Sequence, residues 1–294
     1  MKVKTGVFYD KKGLKKFKPR ISDVICAIPA KSGTTWVQQI CHQIRVKGRP
    51  FDFDDQNDIM PWIERASYLL GTDLNAEHVA NPRVFKSHLP YHLVPTGTKK
   101  IFCFRNMADT MLSFCKFALP RMGISTARAL EFLEMLILTG EVKDRLRDAR
   151  NWWSHRNDED VLFIFFEDLL ERPREVVTRI GKFMDPSFDD DKLVDLVVDQ
   201  TNHRAMAAHP TKFDDHRMFD TNVQKFGLKF TALSESERVG KVRQGGGKKD
   251  QGNELPQRYT EYYEKLWKTI IEKKYGFKQY SDMREAYRNE SLAN

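Results

Sequence analysis

The sequence predicts an α/β fold, a central parallel sheet with helices on both faces, and two observations carry that prediction. Short, almost wholly apolar runs rich in Val, Ile and Phe alternate with stretches of helical periodicity, the pattern of strands buried on both faces. The first run stops at a tight polar turn, "PAKSGTT" at residues 29–35, which opens directly into a helical pattern. Strand, turn and helix in that order let backbone N–H groups and a helix N-terminus hold an anion.

The elements follow in order. Candidate strands lie at residues 23–28, 83–86, 99–104 and 161–166. The helix after the turn carries Val37, Ile40, Cys41 and Ile44 on one face. A second starts near Ala108, with Met111, Leu112 and Cys115 together. A third opens at Pro173, a favourable first-turn residue, and aligns Val176, Val177, Ile180 and Met184. Residues 189–200 and 255–275 form further amphipathic stretches, the last ending at Gly276. Residues 201–254 show little periodicity and include three consecutive glycines, so a lid over cofactor and substrate is expected there. Residues 1–20 form a basic tail. With no repeat and no Pro- or Ser-rich linker, one domain over residues 1–294 is expected.

Composition narrows the partners. A 40% hydrophobic share supplies a packed core, and the formal charge of +8 favours anionic ligands. Cys26, Cys41, Cys103 and Cys115 sit in apolar segments without Cys-x-x-Cys or Cys/His spacing, so they read as buried thiols of a reducing compartment, not metal ligands. The absence of an apolar leader pattern and of any run of about eighteen apolar residues points to a soluble, cytoplasmic chain with no membrane partner. Basic residues without a helix-turn-helix, RNP or zinc signature do not support nucleic-acid binding.

Three clusters suit anions and one suits proton transfer. In "PAKSGTT", Lys31 precedes Gly33, and no glycine stands five residues before Gly33, unlike a P-loop. The shorter cradle suits a single phosphate-like group. "FRNMADTMLSF" brings Arg105 to a strand end and Ser113 into the next helix, and "VGKVRQGGGKK" offers Arg243 before glycines. "RVFKSHLP" puts Lys86, Ser87 and His88 at the carboxyl end of the second strand, where ligands of parallel sheets sit. Histidine is the natural group for taking a hydroxyl proton near neutral pH. Each cluster alone has an ordinary explanation: a capped turn, an ion pair, a solvated loop, a structural histidine.

Taken in register, "PAKSGTTW", "MPWIE", "PRVFKSHLP", "FRNMADTMLSF", "FFEDLLERP", "TKFDDH" and "GKVRQGGG" resemble the cytosolic-type sulfotransferases, which use 3′-phosphoadenosine 5′-phosphosulfate (PAPS) and release 3′-phosphoadenosine 5′-phosphate (PAP). The resemblance spans nearly the whole chain. It implies that Lys31, Ser32, Gly33, Thr34 and Thr35 hold the 5′-phosphosulfate, and that Trp36 stacks on the adenine. It implies a 3′-phosphate site from Arg105, Ser113, Arg243 and Gly245, with Thr201, His203 and Gln244 also in the cofactor set. His88 would be the base, and Lys86, with Lys31 and Ser113, would serve the transferring group without a metal. Three residues depart from the family: Phe166 for a Tyr, His203 for a stacking Phe, and Gln244 for the Lys of an Arg-Lys-Gly triplet. The family's short dimer motif is not visible around residues 248–258, which leaves monomer and homodimer both open.

The rival enzyme class is a P-loop-like kinase or NTPase, with "VLFIFFED" resembling an apolar strand that ends in metal-binding acids. Under either reading the acceptor is a small molecule. Phe51, Phe53, Trp62, Phe114 and Phe117 offer aromatic walls for it. Asp52, Asp54, Asp55, Asp58 and Glu64 form either a solvated acidic loop or a lining that selects a cationic or polar acceptor.

Overall fold

A computed structural model describes residues 10–121, 124–218, 220–221, 241–242 and 255–293. Residues 1–9 of the basic tail and most of the expected lid (residues 222–240 and 243–254), with Arg243, Gln244 and Gly245 of the expected 3′-phosphate site, lie outside the described residues.

Four strands, β1 (Val24–Ala27), β2 (Val84–Ser87), β3 (Lys99–Phe104) and β4 (Val161–Phe165), form a parallel sheet in the order β2-β1-β3-β4. Alternation along the strands divides two cores. Ile25, Ala27, Phe85, Phe102, Phe104, Phe163 and Phe165 face Trp152 and Trp153, whereas Val24, Cys26, Ile28, Val84, Ile101, Cys103 and Ile164 face the opposite layer. The sheet is therefore covered on both sides, as its largely apolar, buried strands require.

The opposite layer contains α2 (Thr34–Arg45), α9 (Pro173–Met184) and α10 (Asp191–Thr201). The Trp layer contains α5 (Met107–Arg121), α6 (Ala129–Leu138), α7 (Glu141–Ser154), α12 (Gln257–Trp267) and α13 (Tyr280–Ala293). Short helices fill the connections: α1 (Lys11–Lys16), α3 (Gln56–Ile59), α4 (Ala66–Leu70), α8 (Phe166–Glu171) and α11 (His203–Ala207). All four cysteines are buried free thiols. Among the described residues no helix is long and apolar enough to cross a membrane.

Two expectations change. The stretch after Thr201 is not uniformly irregular: α11 and a 3-10 turn at Pro210–Phe213 bury Met206 and Phe213 against the sheet. Helices of five and four residues are too short to show a period. The long run at residues 255–275 is also interrupted, because α12 passes through a π-helical turn at Lys268–Glu272 before Gly276.

β1 has β2 on one side and β3 on the other, so the chain leaves it in opposite directions. That switch point opens a crevice beyond the strand's carboxyl end, and the "PAKSGTT" turn stands there.

Candidate active site

The turn is built to present backbone N–H groups. Lys31 and Gly33 adopt positive φ angles of 71° and 100°. Ser32 N–H donates to the Pro29 carbonyl, and the Thr34 hydroxyl reaches the Ile28 and Pro29 carbonyls at 3.3 and 3.4 Å. Two guanidiniums grip the turn's remaining carbonyls: Arg145 of α7 donates to Ala30 at 3.1 Å, and Arg105 donates to Lys31 at 3.1 Å. With carbonyls engaged outward, α2 starts at Thr34, and Val37 N–H makes the bond back to Gly33. The N–H groups of the first turn ahead of it have no carbonyl within the helix and form the positive end of its dipole.

Gly33 is required by more than φ. A Cβ there would stand 2.9 Å from Phe166 Cδ2, so the ring closes on the turn. Phe166 also meets Trp36 edge-on at 6.0 Å and carries the Arg105 guanidinium 4.4 Å over its face. The phenyl of Phe166 thus ties three of the expected nucleotide residues together. Thr35 offers its carbonyl to Gln56 at 3.2 Å. The Lys31 ammonium lies 4.2 Å over the Phe117 ring. Ser113 is buried in α5. Thr201 is buried with its hydroxyl returned to the Val197 carbonyl at 2.8 Å, and His203 opens α11.

His88 follows the end of β2, and its contacts settle its tautomer. Nδ1 lies 2.5 Å from the Ile28 carbonyl, which only accepts, so the ring proton is on Nδ1. Burial, with the nearby Lys86 charge, drives the imidazole pKa well below its ordinary value. The ring is therefore neutral with a lone pair on Nε2. Its backbone N–H is held by Glu64 at 2.6 Å, and Trp62 packs edge-on against it at 4.8 Å.

Lys86 is fully built in. Residues 61–63 pair along β2, with Ile63 N–H to Lys86 O at 2.9 Å and Lys86 N–H to Pro61 O at 3.0 Å. The Lys86 ammonium lies 4.0 Å over Trp62, whose other partner is the Arg65 guanidinium at 4.1 Å. Asp215 accepts from the ammonium at 3.0 Å. Burial nevertheless pulls the Lys86 pKa down to about 7, with Asp215 opposing the shift.

Sequence reasoning missed Arg145, Asp215 and Lys241. "TKFDDH" carried a signal for Asp215, but no role followed from it. The acidic stretch is largely paired. Asp55 is buried and, with Asp58, forms a capping box on α3; Asp54 meets His216 at 3.2 Å and Asp58 meets Arg217 at 2.5 Å. These acids are committed to residues 216–217 and to a helix end. Phe51 and Phe53 pack with Phe213, and Phe114 stacks on Phe132, whereas Trp62 and Phe117 touch His88 and Lys31. The acids after β4 are engaged as well. Asp168 accepts from Arg284 and Arg288, both at 2.9 Å from Nε, and Glu167 accepts from Asn106 N–H and Tyr280. Such pairing leaves little of the metal-binding role a kinase reading would ask of them.

Comparison with known proteins identifies the family. The family model described as "Sulfotransferase domain" matches residues 22–235. The amine sulfotransferase of Oryctolagus cuniculus is 30% identical over 203 residues, covering 66% of each chain. Sulfotransferase 1E1 of Homo sapiens is 30% identical over 211 residues, covering 66% of this chain and 69% of its own. The chain thus spans about two thirds of the length of these relatives. Among solved structures, mouse sulfotransferase SULT7A1 complexed with PAP superposes with a TM-score of 0.63 at 19% identity, over 96% of this chain and 93% of that one. Retinol dehydratase in complex with androsterone and PAP gives 0.62 at 19% identity, over 88% and 83%. At that identity the structures speak for the fold, and the family match for descent: this chain belongs to the sulfotransferase family.

Proposed function

We propose that the chain moves a sulfuryl group from PAPS to a hydroxyl or amine of a small-molecule acceptor, with His88 as general base. The observation that carries this reading is the neutral His88 with its lone pair on Nε2, beside Lys86 and next to the turn at the end of β1. Nε2 takes the acceptor's proton as the acceptor oxygen or nitrogen bonds to sulfur. The bond from sulfur to the bridging oxygen breaks, and its electron pair leaves with PAP. By analogy with phosphoryl transfer the transition state is loose, so charge builds on the departing phosphate. Lys31 and the first N–H groups of α2 meet that charge from fixed positions, the arrangement that contributes most to such reactions. Lys86 holds the sulfuryl oxygens. Arg105 and Ser113, with Arg243 and Gly245, take the 3′-phosphate, and Trp36 with His203 flanks the adenine.

Androsterone and retinol, each bound together with PAP in retinol dehydratase of similar fold, suggest an apolar hydroxyl compound as a first probe. The experiment is transfer of radiolabelled sulfate from PAPS to a panel of phenols, alcohols and amines, with and without EDTA. Labelled product that persists in EDTA supports the reading. Dependence on added magnesium, or phosphoryl transfer from ATP by the same protein, would overturn it.

A further inference from the structure

Asp215 stands 129 residues from Lys86 in sequence, yet its carboxylate lies 3.0 Å from the Lys86 ammonium. It is buried, and its backbone takes the left-handed region at φ 60°. Three partners converge on the one carboxylate: Lys86, the Asn57 side-chain amide at 2.7 Å, and the Lys241 ammonium. Asn57 in turn bonds Asp55 at 2.8 Å, which caps α3, so the carboxylate is anchored to a fixed element.

We propose that Asp215 is a positioning residue of the transfer site, holding the Lys86 ammonium charged and aimed beside His88. The proposal rests on the sulfuryl-transfer reading above and adds a residue to it. An ammonium has three donors, and Asp215 engages one side of it while the Trp62 ring covers another. A donor is left for a sulfuryl oxygen. The groups facing Lys86 are Asp215, Lys241, neutral His88, and Trp62 with Arg65 behind it. Only Asp215 among these is negative. Burial already brings Lys86 down to about 7 with Asp215 in place, and Lys241 adds to the depression. Removing the carboxylate leaves buried Lys86 beside Lys241 without its counter-charge, which lowers the Lys86 value further.

The test compares the affinities of PAPS and PAP, because the sulfuryl group that Lys86 would touch is present only in PAPS. Asp215→Asn suits the left-handed backbone, and Asp215→Gly relieves it, so at least one variant retains the fold. The expected result is a loss of about tenfold in the preference for PAPS over PAP at about pH 6.5, where wild-type Lys86 is charged, the size of one charge-assisted hydrogen bond. PAP affinity itself stays within about twofold. The loss shrinks as the pH is lowered further and the lysine regains its proton, and adding Lys86→Arg to Asp215→Asn restores the preference, since a guanidinium keeps its charge. A preference unchanged in both variants would overturn the proposal. So would an equal loss at every pH that Lys86→Arg does not restore, which would mark a merely structural ion pair. A wild-type chain that binds neither nucleotide would overturn the donor reading and this proposal with it.

Discussion

His88 Nδ1 and the Ile28 carbonyl oxygen are 2.5 Å apart, and that contact joins the base to the strand that carries the anion turn. β1 ends at Ala27, so Ile28 is the first residue beyond it, and the Ile28 N–H donates to the carbonyl of Ser87, the last residue of β2. The base and the turn are therefore set by the same backbone. His88→Ala is expected to lower turnover by about 10²–10⁴-fold while leaving PAP affinity nearly intact. Single-turnover transfer and a PAP titration on the same variant check both halves. Weakened PAP binding without loss of chemistry would assign His88 to the nucleotide.

Lys31→Ala is expected to slow chemistry more than it weakens PAP binding. Its charge matters most as the departing phosphate gains charge, an interaction stronger in the transition state than in the ground state. The readout is kcat against the PAP dissociation constant. Equal losses in both would mean that Lys31 serves binding alone.

Gly33→Ala tests the turn. The new Cβ would meet Phe166 at 2.9 Å on a backbone with φ 100°, so both strain and contact oppose it. A destabilisation of about 1–3 kcal/mol is expected, with weaker PAP binding. Adding Phe166→Ala should relieve the contact but not the backbone strain, and thermal melts of both variants separate the two.

Far from the turn, Arg83 and Asp23 form a fully buried pair, with Nη2 and Nε at 2.6 and 2.8 Å from the carboxylate. Arg83→Met strands the Asp23 charge and should cost about 3–5 kcal/mol of stability. Arg83→Met with Asp23→Leu should recover most of that loss. Urea denaturation measures it, and the remaining folded enzyme should keep its PAP affinity.

Stability should fall on mild acidification. Burial and the Arg45 charge hold His42 and His78 near a pKa of about 3, so both are neutral when folded. Below the ordinary histidine value of about 6.5 the unfolded chain binds protons that the folded one refuses. The stabilisation from neutral burial is complete above that pH and is lost progressively as pH falls towards 3. Melting temperatures from pH 7.5 to 5 should drop, and less steeply in His78→Gln. Parallel curves for wild type and variant would exclude His78 as a contributor.

The strands were legible because each is built on a short apolar run; predicted and observed bounds differ by at most one residue at either end. The turn was legible because its polar letters interrupt such a run. The supports of the site were not. Arg145 reaches Ala30 across 115 residues and Asp215 reaches Lys86 across 129, and neither pairing leaves a local pattern. The partners of the acidic stretch were hidden for the same reason, since Asp54 and Asp58 find His216 and Arg217 only after the chain returns. Short α11 lacked the turns needed to show a period.

The most direct test of nucleotide recognition is a thermal melt of the intact protein with PAP, and separately with ATP and magnesium. PAP at 100 times its dissociation constant should stabilise the fold by about 2.7 kcal/mol, a rise of roughly 4–5 °C for a chain of this size. ATP with magnesium should give less. A melt raised by ATP and magnesium but unmoved by PAP would contradict the sulfuryl-donor site at the end of β1.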